Sequence, residues 1–190
     1  MASKILIGPS SFAETDKTPM NRLIAAGYEV IDNPYKRKLT KKELLDLFDD
    51  DTVGLIAGLE TLDREVLEKF RIQAISRVGA GLSNVDLEAA HDLGIQVFNT
   101  PDAPTNAVAE LTIGAMLCLL RMISRMDQAL HEGKWQKKIG LQLSEKTVAI
   151  IGFGRIRRKV SKLLSPFDVK ILVVDPYVEE SACAGYRKVT

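Results

Sequence analysis

The sequence predicts an α/β protein built on two successive parallel sheets, and three observations predict it. Short apolar segments rich in β-branched residues alternate with segments of helical period through the first hundred residues. A second alternation of the same kind begins near Thr147. Between the two lies a mostly apolar segment, 105–131, that is far too long for a strand. Strands that alternate with helices at this pace predict parallel sheets covered by helices.

The first α/β unit, predicted over residues 1–103, contains strands that alternate with helices. Gly27 is suited to end the first helix, and Thr40 with Glu43 forms a capping box for the second. The predicted strands are Lys4–Gly8, Tyr28–Ile31, Val53–Ala57, Ala74–Val78 and Gln96–Phe98, and the predicted helices are 21–27, 40–48, 62–70 and 86–93. This pattern predicts a complete, flavodoxin-like domain with a parallel sheet.

A single long helix and a polar arm are predicted over residues 104–146. The helix, over 105–131, follows a loop rich in helix breakers, and its early part is apolar nearly all round. Such a helix is buried on more than one side. A second copy of the chain is the simplest cover, and the alternative is a central helix of the monomer. Gly133 and Trp135 mark the end of the helix.

The segment 147–157 predicts a nucleotide-binding turn. An apolar run stops at Gly152-Phe153-Gly154, and a basic, helix-compatible segment follows. A turn of this kind directs the free N–H groups of a helix toward an anion. The next strand ends at Asp175, where a dinucleotide fold places the acid that binds the ribose hydroxyls. The segment therefore predicts the start of a Rossmann-type unit that binds NAD, because a carboxylate would repel a 2′-phosphate; a βαβ unit that binds nothing is the alternative.

Arg157 stands where the third glycine of the nucleotide-binding motif is expected. That glycine lets the helix lie close to the strand, so a long side chain there points outward or pushes the helix away. Arg155, Arg158 and Lys159 lie beside it and either hold a phosphate or form a solvated helix face.

The second unit is expected to be incomplete. Only two strands are predicted in it before a polar tail over 179–190, whereas a nucleotide-binding sheet ordinarily has about six strands. We therefore expect that residues 147–190 are the beginning of the unit and that further sequence or another chain covers it.

Composition excludes several classes of protein. The 190 residues carry 26 basic and 25 acidic side chains, a net charge of +1 that favours no nucleic-acid partner. Cys118 and Cys183 form no metal-ligand spacing and are interpreted as reduced thiols. We expect no signal peptide, no membrane span, no metal site and a cytoplasmic location.

Four motifs carry a resemblance to a known family. They are Arg77 to Asp86 (RVGAGLSNVD), Asn99 to Leu111 (with NTP and TNAVAEL), Gly133-Lys134-Trp135 and Gly152 to Ile156 (GFGRI). Together they resemble the NAD-dependent D-2-hydroxyacid dehydrogenases, particularly the D-3-phosphoglycerate dehydrogenase branch, over residues 4–190. The resemblance implies that 1–103 binds substrate, that the helix 105–131 and its arm form a homodimer, and that 147–190 begin the NAD-binding domain.

The same resemblance implies roles for individual residues. One set would present backbone N–H groups to the substrate carboxylate: Val78, Gly79, Ala80 and Gly81. A second set would line the cofactor, from nicotinamide through pyrophosphate to adenosine ribose: Ala80, Thr105, Gly152, Gly154, Arg155, Ile156 and Asp175.

Departures from the family pattern limit what is expected of this chain. The family's catalytic Arg, Glu and His would follow Thr190, so no catalytic residue is assigned, and His91 and His131 are interpreted as surface or helix-end residues. Ser83 stands where the family often has Asp. Glu60 follows the third strand, where phosphate-binding members tend to carry Arg.

The sequence therefore predicts part of an NAD-dependent oxidoreductase that interconverts a small D-2-hydroxy acid and its 2-keto acid, inactive as the isolated chain. Phosphoglycerate, glyoxylate and hydroxypyruvate all remain open as the substrate type. The alternative is a non-catalytic dimeric binding or regulatory module derived from the same family.

Overall fold

The structure is a computed structural model that describes residues 2–183 and 185–189. The chain divides into two compact units, Met1–Ala103 and Pro104–Thr190. The helix-and-arm segment 104–146 therefore belongs to the same compact unit as the second sheet and is not a separate unit.

The first unit is a five-stranded parallel sheet with helices between successive strands. The strands are β1 (Lys4–Ile7), β2 (Glu29–Ile31), β3 (Thr52–Ala57), β4 (Ala74–Arg77) and β5 (Gln96–Asn99), and the helices are α1 (Thr18–Ala25), α2 (Lys41–Leu47), α3 (Arg64–Lys69) and α4 (Leu87–Asp92). The strand order β2-β1-β3-β4-β5 is that of the flavodoxin-like fold. The predicted α/β architecture of this unit is confirmed.

Three of the four helices of this unit, α2, α3 and α4, begin at a residue whose side chain caps the helix. Thr40 accepts a hydrogen bond from the Glu43 N–H while the Glu43 carboxylate accepts from the Thr40 N–H, the reciprocal box that the sequence predicts. Asp63 caps α3 and Asp86 caps α4 without a return bond: their side chains accept the N–H groups of Val66 and Ala89. These three caps fix where α2, α3 and α4 begin, and a core of buried, mostly aliphatic side chains fills the space between the sheet and the helices.

The edge of this sheet at the carboxyl ends of β1, β3 and β4 positions the first part of the site. The chain leaves β1 toward β2 on one side, and β3 pairs on the other side of β1. Loops that diverge at such a point leave a crevice outside the carboxyl ends of the strands.

The second unit is a three-stranded parallel sheet with two helices before it and one within it. The strands are β6 (Thr147–Ile151), β7 (Lys170–Val174) and β8 (Arg187–Val189), and the helices are α5 (Thr105–Leu120), α6 (Ile123–His131) and α7 (Arg155–Leu164), with 3-10 turns at Ser165–Phe167 and Glu180–Cys183. The sheet order is β6-β7-β8.

The prediction that this sheet has only two strands before a polar tail is wrong, because β8 pairs in parallel with β7. Its sequence, Arg-Lys-Val, is too short and polar to be recognised as a strand. Backbone pairing with β7 and the edge-to-face contact of the neighbouring Tyr186 with Phe153 hold it in place.

The prediction of one continuous helix over 105–131 is also wrong. The segment forms α5 and α6, bent by 67° at a break around Met122. Met122 adopts the left-handed conformation with φ of 57°, which no α-helix interior allows. Hydrophobic periodicity persists across the break, which is why the sequence pattern does not reveal it.

Only part of the apolar surface of α5 is covered by the chain. Ala109 is fully buried against the core of the second unit, whereas Leu111 and Leu119 are 72% and 76% exposed. Among the described residues, no single helix has the length and apolar character needed to cross a bilayer; only the bent pair of α5 and α6 meets both criteria together.

Candidate functional site

The loop that follows β4 is held between the ends of two neighbouring strands. Gly79 has a φ of +133°, a conformation that favours glycine. Its N–H donates to Thr100 Oγ1 at 3.0 Å, and its carbonyl accepts from the Thr100 N–H at 3.0 Å. The Asn99 side-chain amide donates to the Ala80 carbonyl at 2.8 Å. The loop is therefore fixed in one shape by the end of β5.

This shape decides which N–H groups of the predicted substrate loop are available to an anion. The Val78 N–H donates to the Ala57 carbonyl at 2.8 Å, and the Gly79 N–H is used by Thr100. Within the described part of the chain, the N–H groups of Ala80 and Gly81 have no acceptor. Of the four predicted positions, these two are the ones left to bind a carboxylate.

A crevice of about 380 Å³ lies beside this loop, at the carboxyl ends of β1, β3 and β4. It is lined by residues of the three loops and by one lysine: Pro9, Ser10, Ser11, Lys38, Gly58, Leu59, Glu60, Arg77 and Val78. Two amide side chains, the buried Asn33 and the partly buried Asn84, fix its walls. Asn33 donates to the Gly8 carbonyl at 2.6 Å, and Asn84 donates to the Glu60 carbonyl at 2.6 Å.

Glu60 is the unusual residue of the crevice, because it is only 2% exposed. One carboxylate oxygen accepts the Gly58 N–H at 2.6 Å, which closes the turn after β3. The sequence indicates a carboxylate at this position but not its burial, since a glycine and a charged residue soon after a strand are typical of an ordinary surface loop. Ser10, Ser11 and Lys38 were not predicted as site residues, because only the strand order brings them to Glu60.

The turn between β6 and α7 forms the second part of the candidate site. Gly152 has a φ of +82°, and its N–H donates to the Val174 carbonyl at 2.6 Å. Gly154 is the N-cap of α7 and carries no side chain, and nothing lies within 4 Å of the position that a Cβ there would take. A ligand can therefore approach the backbone at the positive end of the α7 dipole.

Asp175 braces this turn from the end of β7. Its two oxygens accept the Phe153 N–H at 2.6 Å and the Tyr177 N–H at 2.9 Å. The hydrogen bonds from Tyr177 and Phe153, in that order, hold the pKa of the Asp175 carboxyl below its usual range. The carboxylate is therefore charged at neutral pH, and its remaining lone pairs are available to ribose hydroxyls.

Arg157 neither points away from the turn nor displaces the helix. Its guanidinium lies over Gly152, where an added methyl group would be 2.8 Å from Nη1. Helix α7 still buries Val160 and Leu164 against the core of the unit. The next residue, Arg158, donates from Nε to the Phe153 carbonyl at 2.8 Å and so also holds the turn.

Thr105, the first residue of α5, carries a buried hydroxyl oxygen without a hydrogen-bond partner in the described part of the chain. An unpaired buried hydroxyl is unfavourable unless a ligand or water completes it. Together with the open backbone at Gly154 and the charged Asp175, it fits the cofactor role predicted for these residues.

Neither histidine belongs to a catalytic arrangement. The side chains of His91 and His131 are 92% and 79% exposed, and each lies beside an acidic neighbour on its own helix, Asp92 and Asp127. Both are surface residues, as expected. Within residues 2–183 and 185–189, no group of His, Cys, Asp and Glu is arranged to hold a metal ion.

The comparisons with known proteins agree with this geometry. Residues 12–186 match the family model described as D-isomer specific 2-hydroxyacid dehydrogenase, catalytic domain. The chain is 41% identical over 143 residues to the D-3-phosphoglycerate dehydrogenase of Methanocaldococcus jannaschii, covering 74% of this chain and 27% of that protein. It is 38% identical over 146 residues to the hydroxypyruvate reductase of Thermotoga maritima, covering 75% and 48%. The chain thus spans less than half the length of these curated relatives.

Among solved structures, the chain is similar to the NAD⁺-bound 3-phosphoglycerate dehydrogenase of Entamoeba histolytica, with a TM-score of 0.75 at 28% identity, covering 100% of this chain and 58% of that one. The similarity includes both units and the turns described above. The chain belongs to the D-isomer specific 2-hydroxyacid dehydrogenase family.

Proposed function

We propose that this chain carries the substrate-binding loop and the phosphate-binding turn of an NAD-dependent oxidoreductase that interconverts a small D-2-hydroxy acid and its 2-keto acid. The observation that carries the proposal is the Gly152-Phe153-Gly154 turn, open at Gly154 and braced by Asp175, in a member of a family that uses NAD(H). The relatives act on phosphoglycerate or hydroxypyruvate by name, and both types of substrate enter the proposal.

Each part of the site has a separate task in this proposal. The N–H groups of Ala80 and Gly81 bind the substrate carboxylate, as paired backbone donors do in anion sites. The backbone of Arg155 and Ile156 at the start of α7 binds the pyrophosphate, and Asp175 accepts hydrogen bonds from the adenosine ribose. The bound NAD supplies or accepts the hydride, which is chemistry that no side chain provides.

No acid–base residue is assigned among residues 2–183 and 185–189, because both histidines lie exposed on the surface. General acid–base catalysis contributes roughly 10²–10⁴ in rate. We therefore expect the isolated chain to bind ligands but to turn over very slowly.

A homodimer through residues 105–131 is part of the proposal. It is supported by the exposed apolar side chains of α5 and of the arm that follows α6, where Trp135 and Ile139 are 85% and 96% exposed. Isolated monomers rarely leave large apolar side chains so uncovered over a continuous surface. The cytoplasmic location expected from the sequence stays a prediction.

A non-catalytic dimeric binding module is the second candidate function. It is favoured by the same exposed apolar surface together with the surface positions of His91 and His131. One measurement separates the two candidates. Only the first requires that the chain reduce a 2-keto acid with NADH once the catalytic residues of a family member are supplied by another polypeptide.

The test of the proposed function is a calorimetric titration of NADH into the purified chain. We expect saturable binding, and we expect Asp175→Ala to weaken it by about 1–3 kcal/mol because hydrogen bonds to a charged group are lost. Glu132→Gln, an exposed carboxylate on the segment after α6, is the control and leaves the affinity unchanged. Equal affinity for the wild-type chain and Asp175→Ala would remove Asp175 from the site, and absence of NADH binding would refute the cofactor assignment.

A further inference from the structure

The crevice beside the substrate loop contains a buried carboxylate that no described cation neutralises. Glu60 is 2% exposed, yet no lysine, arginine or histidine nitrogen in the described chain lies within 4.0 Å of it. Leaving a buried charge without a partner is strongly unfavourable. The Gly58 N–H compensates one oxygen only, so the site retains the capacity to accept a hydrogen bond from a bound molecule.

Glycines on either side hold the Glu60 side chain in one position. A methyl group at Gly8 would lie 2.9 Å from the carboxylate, and one at Gly58 would lie 3.1 Å from it. Both distances are shorter than ordinary van der Waals contact. The carboxylate is therefore packed between two strand-end loops and is preorganised, with little freedom to swing away from a ligand.

The same crevice has a cationic wall. Lys38 and Arg77 both line it, and the Nε of Arg77 is buried without a hydrogen-bond partner while its Nη1 donates to the Val78 carbonyl. Ser10 and Ser11 add hydroxyl groups. A ligand group in this space consequently meets one fixed acceptor and several donors.

The combination of the Glu60 carboxylate with nearby donors determines which terminal group of a substrate the crevice binds best. A hydroxyl donates to Glu60 and accepts from the cationic wall. A phosphate carries close to two negative charges at neutral pH and brings them against a buried carboxylate, where repulsion is weakly screened. A methyl group leaves the Glu60 carboxylate desolvated and without a partner.

We propose that the crevice of Glu60, Lys38 and Arg77 selects 2-hydroxy or 2-keto acids whose far end carries an uncharged hydroxyl, in preference to a phosphate or a methyl group. Glu60 is then a specificity-determining residue. The inference rests on the proposed function, in which Ala80 and Gly81 bind the substrate carboxylate. Val78 lies two residues before Ala80 in the same loop and also lines the crevice, so the far end of a molecule bound at that loop is directed toward Glu60.

The experiment is a calorimetric comparison of three acids that differ only at the far end: D-glycerate, 3-phospho-D-glycerate and D-lactate, each titrated into the chain with saturating NAD⁺. We expect D-glycerate to bind at least tenfold more tightly than either of the others. Glu60→Gln keeps the shape of the side chain and removes its charge. It should raise the affinity for 3-phospho-D-glycerate relative to D-glycerate at least tenfold, because Lys38 and Arg77 remain.

Glu65→Gln is the matched control, because Glu65 is an exposed carboxylate on α3 that is paired with Lys41 outside the crevice. This variant should leave the order of the three acids unchanged. The wild-type order of affinities tests the inference even if Glu60→Gln does not fold, which circular dichroism reports.

Three failures are distinguishable. Wild-type binding of 3-phospho-D-glycerate as tight as that of D-glycerate would overturn the selectivity and leave the proposed function intact. An unchanged ratio in a folded Glu60→Gln variant would remove Glu60 as its determinant. No binding of any of the three acids by the wild-type chain would refute the substrate loop itself, and with it this inference.

Discussion

At the scale of single residues, charged side chains in this protein act mainly by fixing turns and helix ends. Asp175 accepts two backbone N–H groups at the end of β7, and Arg158 holds the Phe153 carbonyl of the same turn. Glu43 does the same at the start of α2, where it accepts the Thr40 N–H and pairs with Arg37 at 2.6 Å. These contacts determine loop shape, and loop shape determines which backbone groups a ligand meets.

Glu43 should make the stability of the first unit depend on pH. The Arg37 guanidinium, followed by the Thr40 N–H, lowers the pKa of Glu43 to about 2. A carboxyl whose pKa is lowered on folding stabilises the protein fully above its unfolded pKa, near 4.5, and loses that contribution as pH falls toward 2. We expect Glu43→Gln to lower the urea midpoint of unfolding at pH 7 and to leave it unchanged at pH 2.

The control for this prediction is Glu68→Gln. Glu68 is an exposed carboxylate of α3 that accepts no backbone N–H from the described residues and lies 3.6 Å from Arg64. Its difference from wild type should be small at both pH values. An equal effect of Glu43→Gln at pH 7 and pH 2 would contradict the assignment.

Arg157 should contribute to anion binding through its charge. The guanidinium lies over Gly152, and α7 remains packed through Val160 and Leu164, so the side chain does not hold the helix away. A charge-assisted hydrogen bond contributes about 1.5–3 kcal/mol, more than the roughly 0.5–1.5 kcal/mol needed to immobilise one flexible side chain. We therefore expect Arg157→Gly to weaken NADH binding about tenfold or more at low ionic strength, with Arg157→Lys intermediate.

The measurement is NADH affinity against salt concentration. The wild-type affinity should fall more steeply with added salt than that of Arg157→Gly, because one ionic contact is missing in the variant. Tighter binding by Arg157→Gly would show instead that the arginine obstructs the turn.

At the scale of elements, the break between α5 and α6 departs most from the sequence pattern. Met122 has a left-handed backbone, which costs a non-glycine residue about 1–2 kcal/mol. We expect Met122→Gly to be neutral or to raise the free energy of unfolding, because glycine removes that strain and the methionine is only partly buried.

Gln128→Gly in the interior of α6 is the matched substitution. It should destabilise by about 0.5–1 kcal/mol, the ordinary cost of glycine inside a helix. Urea unfolding of both variants checks the pair. Destabilisation by Met122→Gly as large as that by Gln128→Gly would show that the two helices are continuous in solution.

At the scale of the whole molecule, the exposed apolar side chains support the proposed homodimer. Leu111 and Leu119 on α5 are 72% and 76% exposed, and Ile139 in the arm is 96% exposed. We expect the wild-type chain to sediment as a dimer and Leu119→Asp to sediment as a monomer, because a charge buried in an apolar interface has no partner.

Glu110→Lys, also an exposed position of α5, serves as a charge-changing control outside the apolar group and should leave the dimer intact. A monomeric wild-type chain at micromolar concentration would contradict the proposed homodimer.

The sequence by itself determined the α/β class, the family, the five strands of the first unit and the glycine turns at 79–81 and 152–154. These features depend on local chemistry: strand periodicity, capping side chains and positions where only glycine is unstrained. Two features were missed because local patterns do not reveal them. Strand β8 is stabilised by pairing with β7, and the break at Met122 does not disturb the hydrophobic period of the segment.

Only the tertiary structure decided which backbone groups of the substrate loop are available and what lies beside them. The Thr100 and Ala57 acceptors use the N–H groups of Gly79 and Val78, although Thr100 is 21 residues from Gly79 in the chain. Likewise, the order of β1, β3 and β4 brings Glu60 against Gly8 and buries its carboxylate. Burial and hydrogen-bond competition depend on neighbours distant in sequence, and no local pattern encodes them.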